Sequence, residues 1–237
     1  MREVFFGLES ILKGLSPRAN RIVRILFTAT SMLFISFAIY LQQKPAIGLS
    51  PWNALNEGIS RTFPFITFGM ASSGIGLMII LVDILLHEKI GVGTFLDAIV
   101  IGAGTDLFDA IDILPELNSY FTRIPVFLVG LALLCFGQFL YMYNGLSCGP
   151  RDSLLVALGK RFPKVTIGTI NNIIFAIVLV VSWLLGATIG IGTVIAVFGN
   201  GKIMDMVFAA VSFEPRSVKH EDVITTLKVI LTDKEPN

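Results

Sequence analysis

The chain has 237 residues, of which 54% are hydrophobic and only 15% are charged, and its mean hydropathy is +0.79. Soluble domains carry about 25% charged residues, so this composition excludes a soluble globular protein and indicates an integral membrane protein. The formal net charge is only +1, and we expect no nucleic-acid partner.

The chain begins with a polar, amphipathic segment, residues 1–21, whose apolar side chains from Phe5 to Leu15 fall near helical spacing. We predict a helix lying on the membrane surface here. We expect no cleavable signal peptide, because the first apolar run is long enough to span the membrane.

Six apolar runs follow, each close to the ~20 residues that cross a bilayer core. They cover residues 22–41, 66–86, 92–114, 124–143, 165–185 and 189–211. Lysine and arginine concentrate before the first run, between the fourth and fifth runs, and in the tail at 213–237. Since such loops stay in the cytoplasm, we predict that both termini are cytoplasmic.

Part of the sequence is repeated within the chain. The stretch from Pro51 to Ala110 recurs from Pro150 to Ala209 at a constant offset of 99. Polar and small residues match as well as apolar ones: Thr67 with Thr166, Gly69 with Gly168, Gly102 with Gly201, and Asp106 with Asp205. We interpret this as an internal duplication.

Each half, 22–116 and 117–212, contains three predicted spans. Because three is odd, the second half enters the bilayer from the opposite side. The predicted fold is therefore an all-α membrane protein of about six transmembrane helices, built as two inverted three-helix repeats. Secondary transporters are commonly built this way, with their binding sites where the repeats meet.

A short helix is predicted between the first and second span of each half. Glycine and serine break the preceding helix, and Pro51 or Pro150 then occupies a first helical position, where proline is favoured. Each helix has about ten residues, too few to span. It either lies at the interface or enters the protein with its N-terminal amides facing a ligand. Trp52 is expected to be an interfacial anchor. The candidate binding residues here are Pro51, Asn53, Pro150, Arg151 and Asp152.

The third predicted span of each half carries an aspartate, Asp106 or Asp205, four residues after a glycine and so on the same helix face. A carboxylate within a span costs about 2.5–3.5 kcal/mol on insertion scales, and it therefore needs a partner or a function. The partner could be the other aspartate, Lys202, Asn200 or Arg151. Alternatively, both aspartates lie near helix ends and cap neighbouring helices.

A second duplicated polar pair begins the middle span, where Ser72-Ser73 matches Asn171-Asn172. Adjacent helical residues point about 100° apart, so one of each pair could face the interior. Contact with a solute and hydrogen bonding between helices both remain open. We find no metal-ligand spacing and no catalytic motif, and we expect no metal, no cofactor and no enzymatic activity.

The segments Gly48-Leu49-Ser50-Pro51-Trp52 and Gly149-Pro150-Arg151-Asp152, with the Gly-x-Gly-Thr of both third spans, resemble the YczE/YyaS/YitT group of bacterial integral membrane proteins. The resemblance covers most of residues 20–212. It implies a multi-pass protein of the bacterial cytoplasmic membrane and does not supply a substrate.

The leading hypothesis is a small secondary transporter or exporter that works by alternating access of its inverted repeats. Asp106, Asp205 and the two proline-initiated helices would line the site. The expected solute is anionic or zwitterionic, with a proton or sodium ion as the coupling ion. The alternative is a membrane accessory or regulatory protein that acts through a protein partner. A homodimer remains open.

Overall fold

The computed structural model describes residues 14–146, 149–213 and 221–234, and their regular secondary structure is entirely helical. The helices are α1 Pro17–Gln43, α2 Pro51–Thr62, α3 Phe68–Leu85, α4 Val92–Leu96, α5 Gly102–Ile111, α6 Tyr120–Tyr143, α7 Pro150–Arg161, α8 Ile167–Leu184, α9 Ile191–Val211 and α10 Val223–Thr232. A π-helical segment, Asp97–Ile101, joins α4 to α5.

Five of these helices are long and apolar enough to cross a membrane: α1, α3, α6, α8 and α9, with mean hydropathies between 1.6 and 2.1. This confirms the helical, multi-pass membrane class. The predicted third span corresponds to α4, the π segment and α5, three consecutive helical pieces of 5, 5 and 10 residues. We call them together the 92–111 helix.

The two ends of the 92–111 helix lie at opposite faces of the molecule. Before its start, the Ile90 carbonyl accepts a hydrogen bond from the Val223 amide at the beginning of α10 (2.9 Å). Beyond its end, Asp112 forms an ion pair with Lys44, the C-cap of α1 (2.5 Å). We name the face that carries α10 and the start of α1 the terminal face, and the opposite face the far face.

The helix α10 is held against α1 by charged groups at the terminal face. Arg21 pairs with Glu221 (2.7 Å), and the Arg18 side chain donates to the carbonyl of Ile230 (2.6 Å).

The first helix begins earlier than the sequence predicts. Ser16 accepts from the Ala19 amide (3.3 Å) and Pro17 takes the first helical position, which together make an effective helix start. Residues 17–21 therefore belong to α1, which begins five residues before the predicted start of the first span at 22. The rest of the predicted surface helix at 1–21, residues 1–13, lies outside the described residues.

The two repeats use the same local signals. Thr67 and Thr166 cap α3 and α8 by accepting hydrogen bonds from the amides three residues later (3.0 and 3.2 Å). The helices α2 and α7 each have 12 residues and end before a Phe-Pro pair, where the residue before proline disfavours helix.

Helices of the first repeat pack against helices of the second repeat. The long helices α1 and α6 pack along their length, with Met32, Ile35, Phe127 and Leu131 in the core between them. The short helix α2 packs on α8 of the second repeat, and α7 packs on α3 of the first. Each short helix therefore packs against the other repeat.

Candidate functional site

A cavity of about 410 Å³ lies at the starts of both proline-initiated helices. Residues 50–53 of α2 and 149–152 of α7 form part of its wall, and the rest comes from α1, α3, the 92–111 helix, α6, α8 and α9. Segments that are 99 residues apart in the sequence thus meet at one site. We call this space the central cavity.

Two matched hydrogen bonds fix the chain just before these helices. The Ile47 carbonyl accepts from the Gly192 amide (2.8 Å), and the Leu146 carbonyl accepts from the Gly93 amide (3.2 Å). All four positions correspond at the offset of 99. The contact is tight: Gly48 has φ of 101°, and a Cβ on it would lie 2.5 Å from the Thr193 hydroxyl oxygen. A side chain at Gly48 is therefore excluded by space and by conformation.

The first turns of α2 and α7 present positive helix ends to the central cavity. Their N-cap residues, Ser50 and Gly149, form no side-chain cap hydrogen bond. A helix N-terminus is equivalent to about half a positive charge. The two helix ends therefore favour negative charge at this position.

Three charged side chains accompany these helix ends. The Arg151 guanidinium lies over the Trp52 ring, with its carbon 5.4 Å from the ring centre. Asp152 accepts a hydrogen bond from the Tyr141 hydroxyl (3.3 Å). The Asp97 carboxylate lies against the start of α7, since a Cβ on Gly149 would be 3.2 Å from its Oδ2.

The structure brings seven of the eleven predicted site residues to the central cavity. They are Pro51, Asn53, Ser72, Pro150, Arg151, Asp152 and Asn171. Trp52, expected at the membrane interface, lies in the cavity wall. The other four, Ser73, Asn172, Asp106 and Asp205, are not among the lining residues.

Asp106 acts as a helix cap near the far face. Its carboxylate accepts from the Thr67 hydroxyl (2.5 Å) and from the Gly69 amide (2.7 Å). This is the capping alternative that the sequence left open, because α5 runs directly past the start of α3. Ser73, on the same helix as Gly69, packs against α5, since a Cβ on Gly102 would lie 2.2 Å from its hydroxyl oxygen.

The matching residues of the second repeat are separated from each other. Asp205 is exposed and makes no hydrogen bond or ion pair with the described residues, and Asn172 is exposed on α8. A Cβ on Gly168 or Gly201 would meet no described atom within 4 Å outside its own helix. The same sequence motif thus forms a helix contact in the first repeat and leaves a gap in the second.

Sequence reasoning missed Asp97, although a carboxylate inside the predicted span 92–114 was a sufficient signal. Its counterpart in the second repeat is Ala196, so the search for duplicated polar residues passed over it. A π segment, which is frequently found at functional sites, begins at Asp97; nothing in the sequence indicates that segment. Tyr141 carried no signal either.

The described residues contain no group of three or more His, Cys, Asp or Glu side chains able to hold a metal ion. Gln138 also lines the central cavity, and its side-chain oxygen is buried without a hydrogen-bond partner among those residues. The chemistry the cavity offers is recognition of charge by one guanidinium, two carboxylates and two helix ends.

Comparison with known proteins agrees with the membrane class. An uncharacterised membrane protein of Bacillus subtilis, YczE, is 29% identical over 185 residues, 77% of this chain and 84% of the relative. An uncharacterised Haemophilus influenzae protein is 32% identical over 184 residues, 77% of this chain and 81% of that protein. The B. subtilis protein YyaS is 26% identical over 185 residues, 77% of this chain and 90% of YyaS.

These relatives confirm the resemblance to YczE and YyaS that the glycine- and proline-rich motifs indicate. No solved structure matches the chain. A sequence model described as a family of unknown function, DUF6198, matches residues 22–208. The chain belongs to this family.

Proposed function

We propose that the chain is a small secondary transporter in which two inverted three-helix repeats expose the central cavity to each side of the membrane in turn. The observation that carries the proposal is the duplicated helix contact, which is closed in the first repeat and open in the second. Inverted repeats with one half closed and the other open are the arrangement that alternating access requires.

In this proposal, the 92–111 helix is the sixth helix that crosses the membrane. Its 5, 5 and 10 consecutive helical residues extend roughly 30 Å at about 1.5 Å per residue, close to the ~30 Å of a bilayer core. Its ends approach α10 at the terminal face and Lys44 at the far face. Each repeat then has three crossings, and the matched hydrogen bonds at Ile47 and Leu146 support a twofold relation between the repeats.

In the first repeat, α3 and α5 are in direct backbone contact. A Cβ on Gly69 would lie 2.1 Å from the Gly102 carbonyl oxygen, so only glycine permits this approach. The Asp106 carboxylate joins the same two helices through Thr67 and Gly69. This contact closes the molecule between α3 and α5 on the side of the far face.

In the second repeat, the matching helices α8 and α9 are apart. Gly168 and Asn200, one from each helix, both line the central cavity, so the cavity opens between them. The end of α9 lies at the terminal face, where Phe213 packs edge-on against Phe139 (5.0 Å between ring centres). The gap therefore leads from the cavity towards the terminal face, which the distribution of lysine and arginine assigns to the cytoplasm.

Exchanging the conformations of the repeats gives the second state of the transport cycle. The helices α8 and α9 close, Gly168 meets Gly201, and Asp205 accepts hydrogen bonds from the Thr166 hydroxyl and the Gly168 amide. The contact between α3 and α5 opens in compensation, and the cavity faces the far side. In this proposal the duplicated aspartates act as latches for the two closed contacts and do not bind the solute.

Electron paramagnetic resonance distances between matched spin labels test this exchange. One pair, Met70→Cys with Leu107→Cys, reports on the closed contact, and the pair at the corresponding positions, Thr169→Cys with Met206→Cys, reports on the gap. All four side chains are exposed, so the labels leave the packing intact. The background carries Cys135→Ala and Cys148→Ala, and the protein is held in lipid nanodiscs.

The proposal predicts a short and a long distance at each pair of labels. The fraction of molecules with the short distance at one pair should equal the fraction with the long distance at the other pair. A single fixed distance at both pairs, in every lipid and with every solute, would contradict alternating access. That result would favour the accessory role, in which the repeats do not move.

A further inference from the structure

The charged groups of the central cavity attract one another but make few direct hydrogen bonds. Arg151 and Asp97 each make no hydrogen bond and no ion pair within 4 Å with any described residue. Asp152 has only the Tyr141 hydroxyl, at 3.3 Å. Asp152 is exposed and Arg151 and Asp97 are half-buried, so a solute in the cavity can reach all three charges. Charged side chains inside a membrane protein are costly, and by default they have a function. A solute carrying complementary charges supplies direct partners for them.

The charges around the cavity balance. The positive groups are the Arg151 guanidinium and the ends of α2 and α7, each end equivalent to about half a charge. The negative groups are the carboxylates of Asp97 and Asp152. A solute that is only an anion or only a cation leaves one set of groups uncompensated, whereas a zwitterion satisfies both sets and adds no net charge to the site.

The remaining wall and the volume limit the solute further. Apolar side chains of Ile35, Ile39, Leu134 and Phe175 also line the cavity. The volume of about 410 Å³ holds on the order of a dozen heavy atoms at the ~30 Å³ that each water occupies in the liquid. This is sufficient for a single amino acid with an apolar side chain.

We propose that the central cavity binds a small zwitterion of the amino-acid type. Its carboxylate lies at Arg151 and the starts of α2 and α7, its ammonium group lies at Asp97, and its apolar side chain contacts the wall formed by α1, α6 and α8. The assignment rests on the proposed transport function for its biological meaning, but binding is measurable without transport.

The test compares three molecules that share one apolar group and differ in charge. Leucine carries both charges, isoamylamine carries only the ammonium group, and 4-methylpentanoate carries only the carboxylate. The purified full-length chain in detergent is titrated with each, and Kd follows from the thermal shift, since a ligand that binds only the folded state must stabilise it. The other proteinogenic amino acids are measured in parallel.

We expect at least one apolar amino acid to bind more tightly than both single-charge analogues by about tenfold or more, the effect of one charge-assisted hydrogen bond. Asp97→Asn should weaken amino-acid binding by about tenfold or more and leave 4-methylpentanoate unaffected or tighter. Arg151→Gln should have the opposite effect, with isoamylamine preferred over 4-methylpentanoate. Asp109→Asn, at an exposed carboxylate outside the cavity wall, is the matched control and should change nothing.

The inference is overturned if no amino acid shifts the melting temperature, if either single-charge analogue binds as well as the zwitterion, or if Asp97→Asn and Arg151→Gln leave the order of the three molecules unchanged. The spin-label distances in the unliganded protein separate this failure from failure of the transport proposal. If the repeats exchange conformations but no amino acid binds, the transport proposal stands and the proposed solute class is rejected.

Discussion

Substitution of the two duplicated aspartates should shift the conformational equilibrium in opposite directions. In the described conformer, Asp106 accepts two hydrogen bonds, from Thr67 (2.5 Å) and Gly69 (2.7 Å), and Asp205 accepts none from the described residues. Asp106→Ala therefore destabilises this conformer, because the two hydrogen bonds that join α5 to the start of α3 are lost. Asp205→Ala leaves this conformer unchanged and removes the corresponding hydrogen bonds from the exchanged one.

The size of the shift follows from the hydrogen bonds lost. A hydrogen bond to a charged group contributes about 1.5 kcal/mol at the low end of its range, so two contribute about 3 kcal/mol, or roughly 150-fold in the equilibrium constant. Asp106 is half-buried and Thr67 is exposed, and screening by solvent reduces the effect towards about 1.5 kcal/mol, or roughly tenfold. We expect a ratio change between these limits.

The assay is the pair of spin-label distances at 70/107 and 169/206, each measured in the Asp106→Ala and Asp205→Ala backgrounds. Asp106→Ala should increase the long-distance population at 70/107 and the short-distance population at 169/206. Asp205→Ala should do the reverse. Shifts of the same sign in both variants, or no shift in either, would refute the latch role of the aspartates.

Two further substitutions test the packing on which the account depends. Gly69→Ala should lower the free energy of unfolding by about 1–3 kcal/mol, because the added Cβ would meet the Gly102 carbonyl at 2.1 Å. The matched Gly168→Ala, with open surroundings, should leave the melting temperature unchanged or raised and should prevent closure of the gap. Equal melting temperatures for the two variants would contradict the asymmetry between the repeats. Asp83 is fully buried, and its carboxylate oxygens make no well-formed hydrogen bond with the described residues, although the Ser153 side chain lies close to them. Asp83→Ser, which introduces the residue found at the matching Ser182, should raise the melting temperature or leave it unchanged, because a poorly partnered buried carboxylate is removed. A clear fall in the melting temperature would show that the contact with Ser153 is stabilising.

The sequence was sufficient for most of the fold. The six apolar runs correspond to α1, α3, the 92–111 helix, α6, α8 and α9, with ends displaced by at most five residues. Proline at 51 and 150 located the two short helices, because proline fixes the first turn of a helix whatever packs around it. Such signals are local and survive any change in tertiary arrangement.

The residues of the central cavity were only partly predictable, because the lining depends on packing between the repeats. The short helices were found from their prolines, but their meeting at one cavity comes from α2 packing on α8 and α7 on α3. Duplication selected Asp106 and Asp205 and passed over Asp97, whose counterpart is Ala196. A search limited to duplicated polar residues cannot find a charged residue that only one repeat carries.

Access to one cavity residue from both sides of the membrane tests the central claim most directly. Ser72 is buried in the cavity wall, and Ser72→Cys, in the background without native cysteines, can be exposed to a membrane-impermeant maleimide in inside-out and right-side-out vesicles. The account predicts labelling from both sides, favoured from the cytoplasm by Asp205→Ala and from outside by Asp106→Ala. Labelling from one side only, in all three backgrounds, would contradict alternating access.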